Sequence, residues 1–440
     1  MARPTRGFSV RRVNKSSFVL VLTFSFAGGL PAAGPVDAAS VNSLSLRATY
    51  EVSANFSWAT RAVSVRTTAH VTNPTGGAVS TVAFNLATLR TGKANVGLVT
   101  VRGSAVSETI DDQTVLVPFS PALGAGSSAD VVINYKATLA SKAGGYKWQF
   151  IRRSGVMTAY RWIPWLSRTA RFANVGGGEQ YVTPSSTSVQ VQITTDRPLV
   201  IASSGRRTGG NGLTQNFEAN NVRDFNFSAA PDYRTASRVT NGATITFYYR
   251  SLNASNVLSW AVSAFDLYTN KVGEFPSNYV NIAEVGPWFG MESPNLFWIP
   301  RDGGSLLKYE VVHEMAHEWF YSTVGNDQAL QPFADEALAE FLSRELVNTW
   351  TSSKCPGGNL DRTIYTRPGD CYVAVVYYQG YRYLDAYRDQ VGNADFYQGL
   401  HNYYVANKLG IGGTRKLLNA LDAAANYHPN HAARFPGLYP

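Results

Sequence analysis

The sequence predicts an α+β protein: an N-terminal antiparallel β domain, a sandwich or saddle of packed sheets, followed by a mainly helical domain. Three observations carry this. From Ser40 to about Ser251, apolar and polar residues alternate in short runs separated by Gly, Asn, Pro and Ser clusters. Near Leu252 the apolar spacing lengthens to a helical period. The 440 residues, with 12% aromatic and only 16% charged side chains, can bury cores for two or three domains.

The first 39 residues read differently from the rest. Arg3, Arg6, Arg11, Arg12 and Lys15 precede the apolar stretch Phe18 to Leu30, and Val36-Asp37-Ala38 offers a small-residue cleavage site. This is a secretory signal peptide in outline, too short for a membrane span, and it predicts export. Removing those five basic residues and Asp37 takes the net charge from +9 to +5. With no lysine-rich run or arginine stripe, the chain carries no nucleic-acid signature, and no transmembrane segment is expected after cleavage.

The β domain is expected over 40–251. Its strands are read in SLSLRATYEVSANFSW, AVSVRTTAHVTN, DQTVLVPFS, ADVVINYKATL, TSVQVQITTD and ATITFYYRS. The aromatic run Tyr160 to Arg168 could pack against the next domain or simply inside this one. In 252–440, SNVLSWAVSAFDLYTNKVG reads as an amphipathic helix and SNYVNIAEV as a strand. SLLKYEVVHEMAHEWFYSTVG reads as one helix, with Ser305 as N-cap and Gly325 as stop. FADEALAEFLSRELVNTW, YVAVVYYQGYRYLDAYRDQVG and ADFYQGLHNYYVANK read as further helices. Cys355 and Cys371 bracket a Gly/Pro-rich loop, and in an exported chain one disulfide closing it is the simple expectation.

The chemistry concentrates in Val311-Val312-His313-Glu314-Met315-Ala316-His317. Two histidines four apart share one helix face, which suits two corners of a tetrahedral zinc site. Glu336, nineteen residues past His317, can supply the third, leaving one corner open for water. The alternative is a helix with two surface histidines. Against it, Val311, Val312, Met315, Ala316, Trp319 and Phe320 surround the pair, and buried histidines with a glutamate between them need a partner. One Zn²⁺ per chain is therefore expected. Glu310 and Glu340, each a turn from a ligand, could accept a histidine N–H or be ordinary solvated carboxylates.

Together these motifs resemble the aminopeptidase N family of gluzincin metallopeptidases. They are Gly290-Met291-Glu292, then His313-Glu314-x-x-His317, eighteen residues, Glu336, and Tyr377 in a Y-x-x-G run ending at Gly380. The nearer likeness is to exported bacterial members in which a β domain precedes a thermolysin-like catalytic domain and the large C-terminal helical domain is lacking. The resemblance implies peptide substrates and zinc on His313, His317 and Glu336. It implies Glu314 as the general base toward the attacking water, and Gly290, Met291 and Glu292 as substrate-binding, Glu292 holding the free α-amino group. Tyr377, with Tyr378 as runner-up, would donate to the oxyanion. The pattern departs from the family's G-A-M-E-N at Phe289 and Ser293, from its Y-x-K-G at Gln379, and around the third ligand at Phe333 and Ala337. An open cleft without the helical cap would admit longer peptides. An exported aminopeptidase is the leading expectation; a gluzincin endopeptidase, a non-catalytic binding protein on a peptidase scaffold, and hydrolysis of another amide or ester stay open.

Overall fold

The strand Arg47–Phe56 shows why the first half folds as it does. Every second side chain, from Ala48 through Tyr50, Val52 and Ala54 to Phe56, is buried, so one face of the strand seals a core. The computed structural model describes residues 41–173, 180–287, 290–348, 355, 357–366 and 369–439. The expected signal segment 1–39 lies outside them.

Arg47–Phe56 is a central strand of an eight-stranded sheet. The sheet runs in the order Arg206–Gly210, Thr214–Ala219, Val189–Thr195, Arg47–Phe56, Ala62–Thr72, Ser128–Thr138, Asn95–Val101, Ser104–Val106. Its pairings are antiparallel except one: Arg47–Phe56 runs parallel to Val189–Thr195, with Tyr50 opposite Val189. Two four-stranded sheets, built around Val156–Ala159 and Val79–Asn85, share its core, where Tyr50 and Phe56 meet Phe84, Met157, Trp162 and Phe227. The β-rich half expected from the alternating pattern is thus present, with a mixed rather than purely antiparallel main sheet.

A fourth sheet joins Arg234–Thr240 and Ala243–Tyr249 to Tyr279–Val285 and Leu296–Pro300. Ala243–Tyr249 and Tyr279–Val285 are parallel, so their connection must cross over. The crossover is the helix Ala254–Lys271, capped by the Asn253 side chain accepting from Asn256 N–H at 3.0 Å. Its buried face, Val257, Leu258, Ala261, Ala264, Phe265 and Tyr268, packs into a second core with Ile245, Phe247, Val312, Met315 and Trp319. A smaller cluster of Tyr160, Tyr181, Met291 and Trp298 bridges the sheet around Val156–Ala159 and the fourth. Residues 40–440 form a single compact unit. Among the described residues no helix is long and apolar enough to cross a membrane.

The histidine-bearing helix is shorter than its sequence pattern. It spans Leu307–Ala316 after a 3₁₀ turn at Gly304–Leu306, and Ser305 does not cap it. Beyond Ala316 the hydrogen bonds widen, Ser322, Thr323 and Val324 donating to His317, Glu318 and Trp319 five residues back. The chain then turns at Tyr321, whose φ of 148° no helix accommodates. The regular helix thus ends well before Gly325, the expected stop, which leaves to bond Gly410 and Gly412. The next two expected helices each open with a π turn, Phe333–Ala337 before Leu338–Arg344 and Val373–Gln379 before Gly380–Val391. A further helix, Thr414–Ala425, was not anticipated from the sequence pattern; it ends on Asn426 in the left-handed conformation.

The aromatic run 160–168 divides its allegiance. Trp162 packs edge-on to Phe56 and Phe227 and Trp165 stacks on Tyr50, inside the β core. Tyr160 meets Trp298, and Arg168 pairs with Asp327 across to the helical half. Cys355 and Cys371 form a disulfide with their Cα atoms 5.7 Å apart. It spans 16 residues, a closure worth about 3 kcal/mol. Replacing both cysteines with serine should lower the denaturation free energy by about that amount, measured by denaturant unfolding; an unchanged midpoint would show the loop to be constrained without it.

Candidate metal centre

Two elements converge here. His313 lies in the last turn of Leu307–Ala316, and His317 follows at its C-terminal end, still in right-handed helical conformation. That spacing turns both imidazoles to one side, with their Nε2 atoms 3.2 Å apart. Glu336, from the π turn, brings Oε2 to 3.3 Å from His313 Nε2 and 3.4 Å from His317 Nε2. A tetrahedral zinc with bonds of about 2.0–2.1 Å has ligand-to-ligand edges near 3.3–3.4 Å. The triangle of donor atoms therefore fits zinc, with two nitrogens and one carboxylate oxygen as its donor set.

The far side of each imidazole is also held. His317 Nδ1 donates to Asp335 Oδ1 at 2.8 Å, which fixes the tautomer and leaves Nε2 its lone pair. His313 Nδ1 faces the Tyr309 hydroxyl at 3.4 Å and Glu340 Oε2 at 3.7 Å. Tyr309 donates to that Glu340 oxygen at 2.7 Å, and Arg344 donates to the other at 2.6 Å. The sequence pattern does not point to Asp335: it holds His317, while its neighbour Glu336 reaches both imidazoles from the same widened turn. Glu310, the other carboxylate left open, accepts from Gly290 N–H at 3.1 Å and supports the neighbouring strand segment.

Glu314 is buried beside the triangle, and among the described residues its Oε2 has no hydrogen-bond partner. Glu292 is buried next to it, and Glu292, Glu314 and His317 place their polar atoms within 4.8 Å of one another. Gln328 orients Glu292, donating to Oε1 at 2.8 Å. Gly290 passes so close that a Cβ there would lie 2.3 Å from Glu314 Oε1 and 2.4 Å from Glu310 Oε2. Met291 spends both its backbone groups on Trp298, at 3.2 and 2.9 Å. The Tyr377 ring stacks on His313, with centroids 5.5 Å apart and planes 14° from parallel. The structure thus brings His313, Glu314, His317, Glu336, Glu292, Gly290 and Tyr377 together.

Burial and like charge dominate the electrostatics. Burial pushes Glu292 up to about 7, and Glu336 and Asp335 add to the rise while His317 opposes it. Glu314 is raised by burial too, with Glu292, Glu310 and Glu336 contributing. Glu336 goes the other way: burial would raise it, but the two imidazoles hold it below the usual carboxylate range. Burial opposes charge on His317, yet Asp335 and Glu336 overcome that and raise its pKa. The pocket draws positive charge.

Two substitutions test this geometry. Asp335→Ala should weaken zinc binding about 10- to 100-fold by freeing the His317 ring, read by competition with a chelator; unchanged affinity would show the ring to be held without it. Gly290→Ala should displace the Glu314 carboxyl and lower any Glu314-dependent turnover while zinc stoichiometry stays at one per chain.

Neither a protein-family model nor a curated protein sequence matches the chain. Solved structures do match its fold. A variant of the M1 zinc metallopeptidase from Deinococcus radiodurans, bound to a Tyr-Ser-Ala substrate, aligns with a TM-score of 0.68 at 17% identity, covering 88% of this chain and 93% of that one. A two-domain M1 zinc metallopeptidase bound to L-arginine gives 0.67 at 18% identity over 88% and 93%, and one bound to L-tryptophan gives 0.67 at 18% over 88% and 94%. Over its described length, the chain has the fold of the two-domain M1 zinc metallopeptidases.

Proposed function

We propose that the chain is an M1-type zinc metallopeptidase that removes residues from the N-terminus of peptides. The observation that carries this reading is the triangle of His313 Nε2, His317 Nε2 and Glu336 Oε2, with edges of 3.2–3.4 Å, flanked by the unpartnered Glu314 Oε2 and the buried Glu292. A zinc ion held there supplies a Lewis acid that polarises the scissile carbonyl and acidifies water.

The chain's own groups supply the remainder. Glu314 takes the proton of the attacking water at its free oxygen and passes it to the departing amine. A carboxyl raised by burial is suited to hold that proton between the two events. Glu292, aimed by Gln328, binds the substrate's α-ammonium, so the scissile bond falls one residue along. A buried ammonium needs such a counter-charge, and a chain extending in the N-terminal direction would run into this carboxylate. This favours exopeptidase over endopeptidase action. The structural neighbours bound to a tripeptide and to single amino acids agree in ligand class. Tyr377, stacked on His313, donates its hydroxyl to the developing oxyanion. The Cys355–Cys371 disulfide fits an oxidising compartment and supports export directed by residues 1–39.

The test uses matched peptides, one with a free and one with an acetylated N-terminus, alongside zinc analysis of wild type and Glu314→Gln. Cleavage of the free peptide only, abolished in Glu314→Gln with zinc retained, is the expected result. Equal cleavage of both peptides would move the activity to an endopeptidase, and a protein that binds no zinc would sink the hydrolytic reading. Tyr377→Phe should cost about 2.7–4 kcal/mol of transition-state stabilisation, a fall in kcat of about 10²–10³ at little change in KM. A loss confined to KM would remove Tyr377 from the oxyanion role.

A further inference from the structure

Glu292 lies in a short segment pinned on both sides. Met291 is paired to Trp298, and Asn295 N–H donates to Glu318 Oε2 at 3.0 Å. Both tethers belong to the second half of the chain. Between them Ser293, immediately after Glu292, reaches into a different set of residues. Its hydroxyl sits 2.9 Å from Asn226 Nδ2 and 3.0 Å from Ser204 Oγ, both in the β-rich half.

Asn226 has no freedom to shift. Its Oδ1 accepts from Arg161 N–H at 2.7 Å, and its Nδ2 donates to Asp224 Oδ2 at 3.0 Å as well as to Ser293. Its backbone N–H donates to Ser204 Oγ, and its carbonyl accepts from Ser204 N–H. Asp224 in turn pairs with the Arg161 guanidinium at 3.0 Å, and both are buried. Arg161 also donates to Thr183 and, at 2.7 Å, to the hydroxyl of Tyr321, four residues past His317. The Arg161 backbone sits at φ 51°, a conformation a non-glycine residue keeps only when its surroundings over-determine it. A buried ion pair is poor value as a stabiliser alone, and holding one geometry is its better-attested use.

We propose that Arg161, Asp224 and Asn226 are positioning residues for Glu292, acting through the Ser293 hydroxyl, so that the amine-binding carboxylate is aimed from the β-rich half. This rests on the role given to Glu292 above. Ser293 stands where the resemblance loses its asparagine, and the Asn226 amide supplied from the other half of the fold meets its hydroxyl.

The experiment compares zinc-loaded wild type, Ser293→Ala and Ser293→Thr, because this substitution leaves the buried charges intact. Ser293→Ala should raise KM for a free-amino tripeptide about tenfold with kcat within about twofold, the pattern of weakened ground-state anchoring. In a Glu314→Gln background, calorimetry should show the Kd for L-arginine rising by a similar factor. Ser293→Thr, which restores the hydroxyl, should recover most of both. Unchanged KM and Kd in Ser293→Ala would overturn the proposal, and so would kcat and thermal midpoint falling together with KM fixed. Failure of Ser293→Thr to rescue would likewise show that the hydroxyl is not the agent. A wild type that cleaves acetylated and free peptides alike would instead fail the aminopeptidase reading, and this proposal with it.

Discussion

The structure is organised around a concentration of buried negative charge. Glu292, Glu314, Asp335, Glu336 and Glu340 are all buried around two imidazoles, and among the described residues only Glu340 of these carboxylates has an arginine paired with it, Arg344. Carboxylates taken out of water are expensive unless a cation answers them. A divalent ion at the three donor atoms and, on the proposed reading, an ammonium at Glu292 would provide that answer. The shape of the surrounding fold follows. The crossover helix holds the histidine helix through Tyr268, whose hydroxyl donates to Val312 O, and the bridging cluster at Met291 and Trp298 carries Glu292 to the same point.

Local backbone geometry does as much as residue identity. Glu336 and Tyr377 both sit in π turns, a form that is rare and gathers at functional sites. The two turns touch where Gly380 meets Ala337; a Cβ at 380 would lie 2.6 Å from the Ala337 methyl. The glycine of the Y-x-x-G run therefore has a steric reason. It lets two backbones approach until the Tyr377 ring lies on His313.

The donor triangle was legible because two histidines four apart on a helix, among apolar neighbours, share one buried face. The strands were legible because half-buried strands alternate, as Arg47–Phe56 does. What the sequence hid was tertiary in origin. Nothing local marks the end of the regular helix at Ala316, since the apolar pattern runs on through Trp319 and Phe320 to Gly325, where the chain leaves to pair with Gly410 and Gly412. Asp335 was hidden by the widened turn, and Ser305 looked like a cap but precedes a 3₁₀ turn instead. The parallel pairing of Arg47–Phe56 with Val189–Thr195 was equally invisible, since alternation fixes which face is buried and says nothing of strand direction.

That parallel pair also governs the order in which the molecule can be made. Arg47–Phe56 finds one of its two neighbours only after Val189–Thr195 has emerged, with the strands from Ala62–Thr72 through Trp165–Leu166 in between. Contacts this distant in sequence slow folding, because the loop must close before the pairing rewards it. Until then the edge of Arg47–Phe56 is an open template for other strands. A newly made chain should therefore linger in a partly assembled state, and crowding or chaperone supply during synthesis, more than final stability, should set its yield.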